Sequence, residues 1–183
     1  MTSNAATLLQ ELREDHRNMD LLLDLLHDEI DRIDRGEKVE FEVLDDIMRY
    51  MVVYSDAVHH PREDLIYAAL RRDHPALAGG LERVEDDHRD IAELGGRLRA
   101  EIEAVIAGTA VSRERVIADA RSYMHRLRRH MAWEEEDLFR RADSEAASLV
   151  IDCAHLHAAD PVFGAQREAS FAKLFEAIRH EVC

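Results

Sequence analysis

The chain has 183 residues, with 39 Asp or Glu against 24 Lys or Arg, so its formal net charge is −15. This length fits one domain with a sizeable core, and only 7 Gly and 3 Pro favour long helices over strands. The acidic balance argues against nucleic acid and membranes as partners, and the lack of a signal-peptide pattern or long apolar segment predicts a cytoplasmic protein.

Apolar residues that alternate by three and four positions predict four successive helices. The first shows Leu9, Leu12, His16, Met19, Leu23, Leu26, Ile30 and Ile33, and Gly36 is its stop signal. The second shows Leu44, Met48, Ser55, His59, Glu63, Ile66 and Leu70. The third shows Leu77, Leu81, Val84, His88, Ile91, Gly95, Leu98, Ile102 and Val105, before Gly108. The fourth, after an N-cap at Ser112, shows Val116, Ala120, Tyr123, Leu127, His130, Glu134 and Leu138. We therefore predict an all-α fold, an antiparallel up-down-up-down four-helix bundle over residues 1–142.

The remaining residues, 143–183, are predicted to form a helical extension of one or two helices packed on the bundle. Residues 144–158 look helical, and Asp160-Pro161 can open a last helix that carries Phe171, Leu174, Phe175 and Ile178.

Four histidines, His16, His59, His88 and His130, occupy core-facing positions of the four helices. The midpoint between each successive pair falls on a turn signal, at residues 36–39, 73–75 and 108–110. Because residues equidistant from a turn lie at the same height in an up-down bundle, all four should meet at one level.

Two glutamates join this level, since Glu63 and Glu134 each follow a core-facing histidine by four residues. On an α-helix this spacing leaves two side chains about 40° apart and one turn along the axis. The motif Asp15-His16-Arg17 also recurs as Asp87-His88-Arg89. The chain therefore resembles two helical hairpins that build a site with approximate two-fold symmetry.

A single histidine on an apolar stripe is usually a core residue with a hydrogen-bond partner, and a purely structural role is one interpretation of these four. Two buried carboxylates without compensation would, however, cost several kcal/mol each. Metal ions remove this cost, because they bind neutral imidazole and ionised carboxylate. Without a thiolate, a cysteine-type zinc site is excluded, and mixed imidazole and carboxylate ligands suit iron or manganese.

These motifs, together with His59-His60-Pro61-Arg62-Glu63 and His130-Met131-Ala132-Trp133-Glu134, make residues 10–140 resemble the hemerythrin-like (HHE cation-binding) family. The resemblance implies two iron ions in a non-haem centre bridged by an oxo or hydroxo group (Fe-O-Fe or Fe-OH-Fe). It also implies the ligands: His16 and His59 on one iron, His88 and His130 on the other, and Glu63 and Glu134 as bridges. Other divalent metals could replace iron.

The sequence departs from the oxygen-carrying members of this family in its third helix. Those proteins have a second histidine there, whereas the corresponding residues, Val84 and Ala92, cannot bind a metal. Both ions would then have an open position, which favours catalase-like peroxide disproportionation or O2-linked redox chemistry over oxygen storage. The expected partners are H2O2, O2 and NO, and the expected state is a monomer or weak homodimer. The alternative is a non-catalytic module that binds O2 or senses iron, oxygen or NO.

Two residues are candidates to fill the open position or to support the ligands. His60 follows His59 directly and would point about 100° away from it on a regular helix, which suggests a surface or interhelical position. Tyr54 would be excluded on an ideal helix. However, Pro61 cannot donate to the carbonyl group of Ala57, and a π-bulge before it would bring Tyr54 to the face that carries His59.

Overall fold

The computed structural model describes residues 3–152 and 159–181, and this part of the chain is mainly helical, as predicted, with connecting turns and two short strands. The helices are α1 (Ala5–Asp34), α2 (Phe41–Tyr50), α3 (His60–Asp73), α4 (Pro75–Ala78), α5 (Val84–Ile106), α6 (Arg113–Trp133), α7 (Arg140–Ser144) and α8 (Ala172–Glu181). Two π-helical segments, Met51–His59 and Glu134–Phe139, join α2 to α3 and α6 to α7, and a 3-10 turn, Ala169–Phe171, precedes α8.

Four long helical segments carry the predicted histidines: α1, residues 41–73, α5, and residues 113–144. The sequence signals at their ends act as expected. Gly36 and Gly108 adopt the left-handed conformation just after α1 and α5, and the Ser112 side chain accepts a hydrogen bond from the backbone N–H of Arg115. Helix α6 packs against α1 and α5, and α2 packs against α5 and α8.

The apolar core is divided into two clusters. Cluster 1 includes Met19, Leu26, Leu44, Met48, Val58, Ile91, Leu98, Leu127 and Met131. Cluster 2 includes Leu9, Leu12, Ile66, Leu70, Val84, Leu138 and Phe139. Each long segment contributes to both clusters, and the histidines and glutamates lie between the two contributions. The fold therefore leaves one polar layer inside an otherwise apolar core.

The predicted start of the third helix is wrong. Leu77 lies in the short helix α4, and the long helix α5 begins only at Val84. The interruption is at Gly79-Gly80, where Gly80 has φ +86°, a conformation that ends a right-handed helix.

The C-terminal part also differs from the prediction. Residues 145–148 form turns, and β2 (Val150–Ile151) pairs with β1 (Ser3–Asn4) in an antiparallel ladder, so the helix predicted over 144–158 is wrong for its described part. Residues 153–158 lie outside the described residues. Asp160 does not begin a helix: its carboxylate accepts hydrogen bonds from the N–H groups of Val162 and Phe163 in a turn, and the last helix follows later. The division at residue 142 into two units stays a prediction.

Candidate metal centre

The six side chains predicted from the sequence, those of His16, His59, Glu63, His88, His130 and Glu134, lie together in the polar layer. All six are buried, and neither glutamate has any exposed surface. The sequence argument that placed four histidines and two glutamates at one height is therefore matched by their positions.

Glu63 lies between two pairs of histidines. Its Oε1 atom is 3.1 Å from Nε2 of His59 and 3.2 Å from Nε2 of His16. Its Oε2 atom is 3.4 Å from Nε2 of His88. One oxygen of this carboxylate therefore faces each half of the site.

Glu134 has a similar position. Its Oε1 atom is 3.1 Å from Nε2 of His130 and 3.2 Å from Nε2 of His88, while its Oε2 atom is 3.6 Å from Nε2 of His16. Like Glu63, it turns one oxygen toward each half.

Two overlapping groups of buried residues, which contain His60 and all of the six except Glu134, place possible ligand atoms within 4.8 Å of one another. The first group is His16, His59 and Glu63, and the second is His60, Glu63, His88 and His130. Glu63 belongs to both groups. Imidazole and carboxylate are the donors that iron, manganese and zinc accept.

The hydrogen-bond geometry shows that these groups fit metal ions. The buried atoms His59 Nε2, His130 Nε2, Glu63 Oε2 and Glu134 Oε2 have no hydrogen-bond partner among the described residues. The two nitrogens nevertheless lie 3.1 Å from carboxylate oxygens, at angles that form no hydrogen bond. Buried polar atoms without a partner are costly, and lone pairs that converge in this way are satisfied by a shared cation.

The other ring nitrogen of each histidine faces a carboxylate. Nδ1 of His59 lies 3.0 Å from Asp15, Nδ1 of His16 lies 3.1 Å from Glu135, and Nδ1 of His88 lies 2.9 Å from Asp64. Nδ1 of His130 is 3.8 Å from Asp87, too far for a hydrogen bond. Carboxylates at this position fix the tautomer and orientation of metal-binding histidines.

Sequence reasoning assigned no role to these four carboxylates, although the signal was present. Asp15 and Asp87 are the acidic residues of the repeated Asp-His-Arg motif, and Asp64 and Glu135 each directly follow a buried glutamate. The repeat in the sequence thus extends to the groups that orient the histidines.

The first π-helical segment, Met51–His59, ends just before Pro61, where the sequence predicted a bulge. The backbone N–H of His60 donates to the carbonyl of Ser55, five residues earlier. Since Pro61 has no N–H to continue the α-helical pattern, the wider turn is accommodated here. The second π-helical segment, Glu134–Phe139, was not predicted and has no proline to signal it.

Tyr54 lies in the first π-helical segment and is buried. Its hydroxyl group donates to the Asp15 carboxylate, at 3.3 and 3.4 Å from the two oxygens, and Asp15 in turn accepts from His59. Burial and the negative charge of Asp15 raise the pKa of Tyr54 above its usual value. As placed, Tyr54 is a neutral phenol that contacts the carboxylate supporting His59.

His60 is buried rather than at the surface, in an interhelical position. Its ring stacks on that of His88 with a centroid distance of 4.3 Å and an interplanar angle of 9°. Its Nε2 atom is 3.3 Å from the hydroxyl of Ser55, and its Nδ1 atom is 3.3 Å from Asp56. His60 therefore lies against the half of the site that contains His88 and His130.

The surrounding carboxylates raise the pKa of three imidazoles in the site, those of His16, His59 and His88. Burial alone lowers the pKa of His16 and His88, but neighbouring carboxylates outweigh this effect. For His16 these are Glu135 and Glu63. For His88 they are Asp64, Glu134 and Glu63. The pKa rises to about 10 for His16 and about 12 for His88. Burial raises the pKa of Glu63, but the charge of His59 and the hydrogen bond from His16 outweigh this effect and hold the pKa well below its usual value.

Two surface cavities reach the site from different sides. One, of about 420 Å³, is lined by His16, Arg17, Asp20, Asp24, Arg128, Met131, Ala132 and Glu135. The other, of about 290 Å³, is lined by Asp56, His60, Pro61, Asp64, Glu85, His88, Arg89 and Ala92. Small molecules can thus approach the edge of His16 and the edge of His88.

Among the described residues, no helix is both long and apolar enough to cross a lipid bilayer. A comparison with protein families finds that residues 7–142 match the model described as the hemerythrin HHE cation-binding domain. No curated protein and no solved structure matches the chain.

Proposed function

Because the chain belongs to the hemerythrin HHE cation-binding family, we propose that its buried cluster binds two iron ions that react with hydrogen peroxide. The ligands in this proposal are His16 and His59 for one ion, His88 and His130 for the other, and Glu63 and Glu134 as bridges. The arrangement also depends on an up-down-up-down bundle. The alternation of the two apolar clusters along the four long segments supports that topology.

The observation that carries the proposal is the position of the two carboxylates. Each turns one oxygen toward each half of the site. A single ion could be held by three of these side chains. The carboxylate oxygens that face the other half of the site would then have no partner. Carboxylates shared in this way are typical of two-metal centres in helical bundles.

Bound iron would supply redox equivalents for the conversion of two H2O2 molecules into O2 and two water molecules. The residues of the chain hold and orient the reacting centre. Glu135 and Asp64 keep a proton on Nδ1 of His16 and His88, so that Nε2 of each ring presents its lone pair to the site. The apolar clusters on both sides keep bulk water away from it.

The open positions also support peroxide chemistry. Val84 is buried in cluster 2, and Ala92 lines the cavity beside His88, so neither fills the position of the missing histidine. His60 lies in the same group of possible ligands as His88 and His130, but both of its ring nitrogens already have polar neighbours. We propose that His60 supports His88 by stacking and that Tyr54 supports His59 through Asp15.

The test has two steps. The purified chain, loaded with ferrous iron under anaerobic conditions, should retain two irons per chain, and anomalous scattering at the iron edge should show them on either side of Glu63. Mixed with hydrogen peroxide, it should evolve O2 faster than the iron-free protein and faster than the same amount of free iron. Two bound irons without oxygen evolution would leave the non-catalytic binding module as the function.

A further inference from the structure

A pair of buried tyrosines leads from the proposed iron site to the C-terminal segment. The rings of Tyr50 and Tyr54 stack with a centroid distance of 5.3 Å and an interplanar angle of 27°. Tyr50 has no exposed surface and Tyr54 is 6% exposed. Contact at this distance provides a direct path between the two aromatic rings.

The Tyr54 end of the pair is joined to the site. Its hydroxyl donates to Asp15, and the same carboxylate accepts the hydrogen bond from His59. Tyr54 and His59 are five residues apart in the π-helical segment, which is one π-turn, and so they lie on the same face.

The Tyr50 end is joined to the turn after residue 159. Its hydroxyl donates to Oδ2 of Asp160 at 3.0 Å. Oδ1 of the same carboxylate accepts from two backbone N–H groups, at 2.8 Å each. Phe163 in this turn, half-buried, packs edge-on against the Tyr50 ring at 5.9 Å. Asp160 is itself half-buried, so the path ends at a partly exposed carboxylate.

Each hydroxyl of the pair thus has a carboxylate as its acceptor. Among the described residues, the other two tyrosines, Tyr67 and Tyr123, make no such hydrogen bond. Burial, together with the nearby negative charges, raises the pKa of both Tyr50 and Tyr54 far above its usual value, so both phenols stay protonated. A buried phenol that loses an electron becomes a strong acid, and it is readily oxidised only where a base can take its proton.

We propose that Tyr54 and Tyr50 form a one-electron relay between the iron site and the surface beside Asp160. The proposal rests on the peroxide chemistry proposed above, with hydrogen peroxide as the oxidant. Tyr54 would give one electron to the oxidised iron site, and its proton would move along its hydrogen bond to Asp15. Tyr50 then gives one electron to Tyr54, which recovers its proton, and the proton of Tyr50 passes to Asp160.

In the net step, the site gains one electron, Tyr50 becomes a neutral phenoxyl radical, and the Asp160 carboxylate becomes a carboxylic acid. A phenol or a similar organic one-electron donor that reaches the half-buried turn at Asp160 would restore Tyr50, and Asp160 would return the proton. The relay would extend the reaction from peroxide disproportionation to the oxidation of donors too large to enter the buried site. It would also remove oxidising equivalents from the neighbourhood of the histidines and Met131.

In the experiment, the iron-loaded protein is mixed with hydrogen peroxide and frozen within milliseconds to seconds, and electron paramagnetic resonance spectra are recorded. Peroxide consumption is followed in the same samples. We expect an organic radical signal that narrows when the protein carries ring-deuterated tyrosine. The signal should be lost in Tyr54→Phe and should move or disappear in Tyr50→Phe, whereas Tyr123→Phe, which changes another buried tyrosine, should keep it.

A second variant separates the relay from a merely structural role. Asp160→Asn retains an oxygen that can accept from the backbone of the turn but loses the base that takes the Tyr50 proton. It should keep the iron content of the wild type and lose the radical on Tyr50.

Three results would overturn the relay. Peroxide consumption by the wild type without any radical would remove the relay and leave the proposed function intact. A radical that survives the combined Tyr50→Phe and Tyr54→Phe substitutions would assign it to other residues. A visible charge-transfer band lost in Tyr54→Phe would make Tyr54 an iron ligand instead. If the iron-loaded protein consumes no peroxide at all, the proposed function fails first and the relay with it.

Discussion

Replacing Glu63 by glutamine should remove both metal ions rather than one. Glutamine has almost the same shape as glutamate, so the packing of this fully buried position is retained, but its neutral amide is a poor metal ligand. One oxygen of Glu63 faces His16 and His59, and the other faces His88. The substitution therefore takes one ligand from each proposed ion.

The size of the effect follows from metal linkage. Loss of a residue that only supports a ligand typically weakens metal binding about 10- to 100-fold, and loss of a shared ligand should cost at least the upper end of that range. At a free iron concentration about 100 times the wild-type Kd, each ion stabilises the fold by about 2.7 kcal/mol, so two ions contribute about 5 kcal/mol. For a chain of this size, that corresponds to roughly 10–20 °C in Tm.

The assay is the difference in Tm between iron-loaded and chelator-treated protein, measured anaerobically together with the iron content. This difference excludes any effect of the substitution on the metal-free fold. His130→Ala, which changes a residue of only one ligand group, should lose one iron and about half of the difference. Glu136→Gln, which makes the same chemical change at an exposed position, should behave like the wild type. A Glu63→Gln protein that keeps two irons, or loses only one, would refute the shared role of Glu63.

Three further predictions follow from the same site. Asp15→Asn weakens the support of His59. It should lower iron affinity about 10- to 100-fold in a competition titration with a chelator. An unchanged affinity would mean that Asp15 does not orient this ring. Phe139→Ala removes a fully buried ring that stacks on His16. It should lower the free energy of unfolding of the metal-free protein, measured in urea, by about 3–5 kcal/mol. A loss below about 1 kcal/mol would contradict the core role of Phe139. The raised pKa values leave His16 and His88 protonated at pH 7 without metal, so metal loading in a weakly buffered solution should release a proton from each. The contribution of His16 should fade as the pH rises through about 10, whereas that of His88 should persist. Loading without proton release would contradict these pKa values.

The level of the site could be predicted from the sequence because it depends only on periodicity and turns. Gly36 and Gly108 end helices where the sequence indicates, and these turns relate His16 to His59 and His88 to His130. The turn between His59 and His88 lies later than predicted, at Gly79-Gly80. Neither step requires knowledge of side-chain packing. The bulge before Pro61 was predictable for the same reason, since a missing backbone N–H is a local property.

Other features depend on tertiary contacts and had no such local signal. The second π-helical segment contains Glu134 and has no proline, so nothing in its sequence marks the wider turn. The chain after residue 144 has a composition that suits a helix, but Val150 and Ile151 pair with the N-terminal residues instead. Such a pairing between distant parts of the chain overrides local propensity and cannot be read from it.

The most informative departure from the repeat lies one residue after the histidines of the two His-x-x-x-Glu pairs. There the first hairpin has His60, stacked on His88, and the second has Met131, which lines the cavity beside His16. The carboxylates beside His16 and His88 keep the approximate two-fold symmetry, whereas Asp15 bonds His59 and Asp87 does not reach His130. A third imidazole crowds and polarises the half that contains His88, while a thioether leaves the other half more open and more apolar. Two ions in this site would therefore be inequivalent, and the sequence difference between His60 and Met131 is sufficient to cause it.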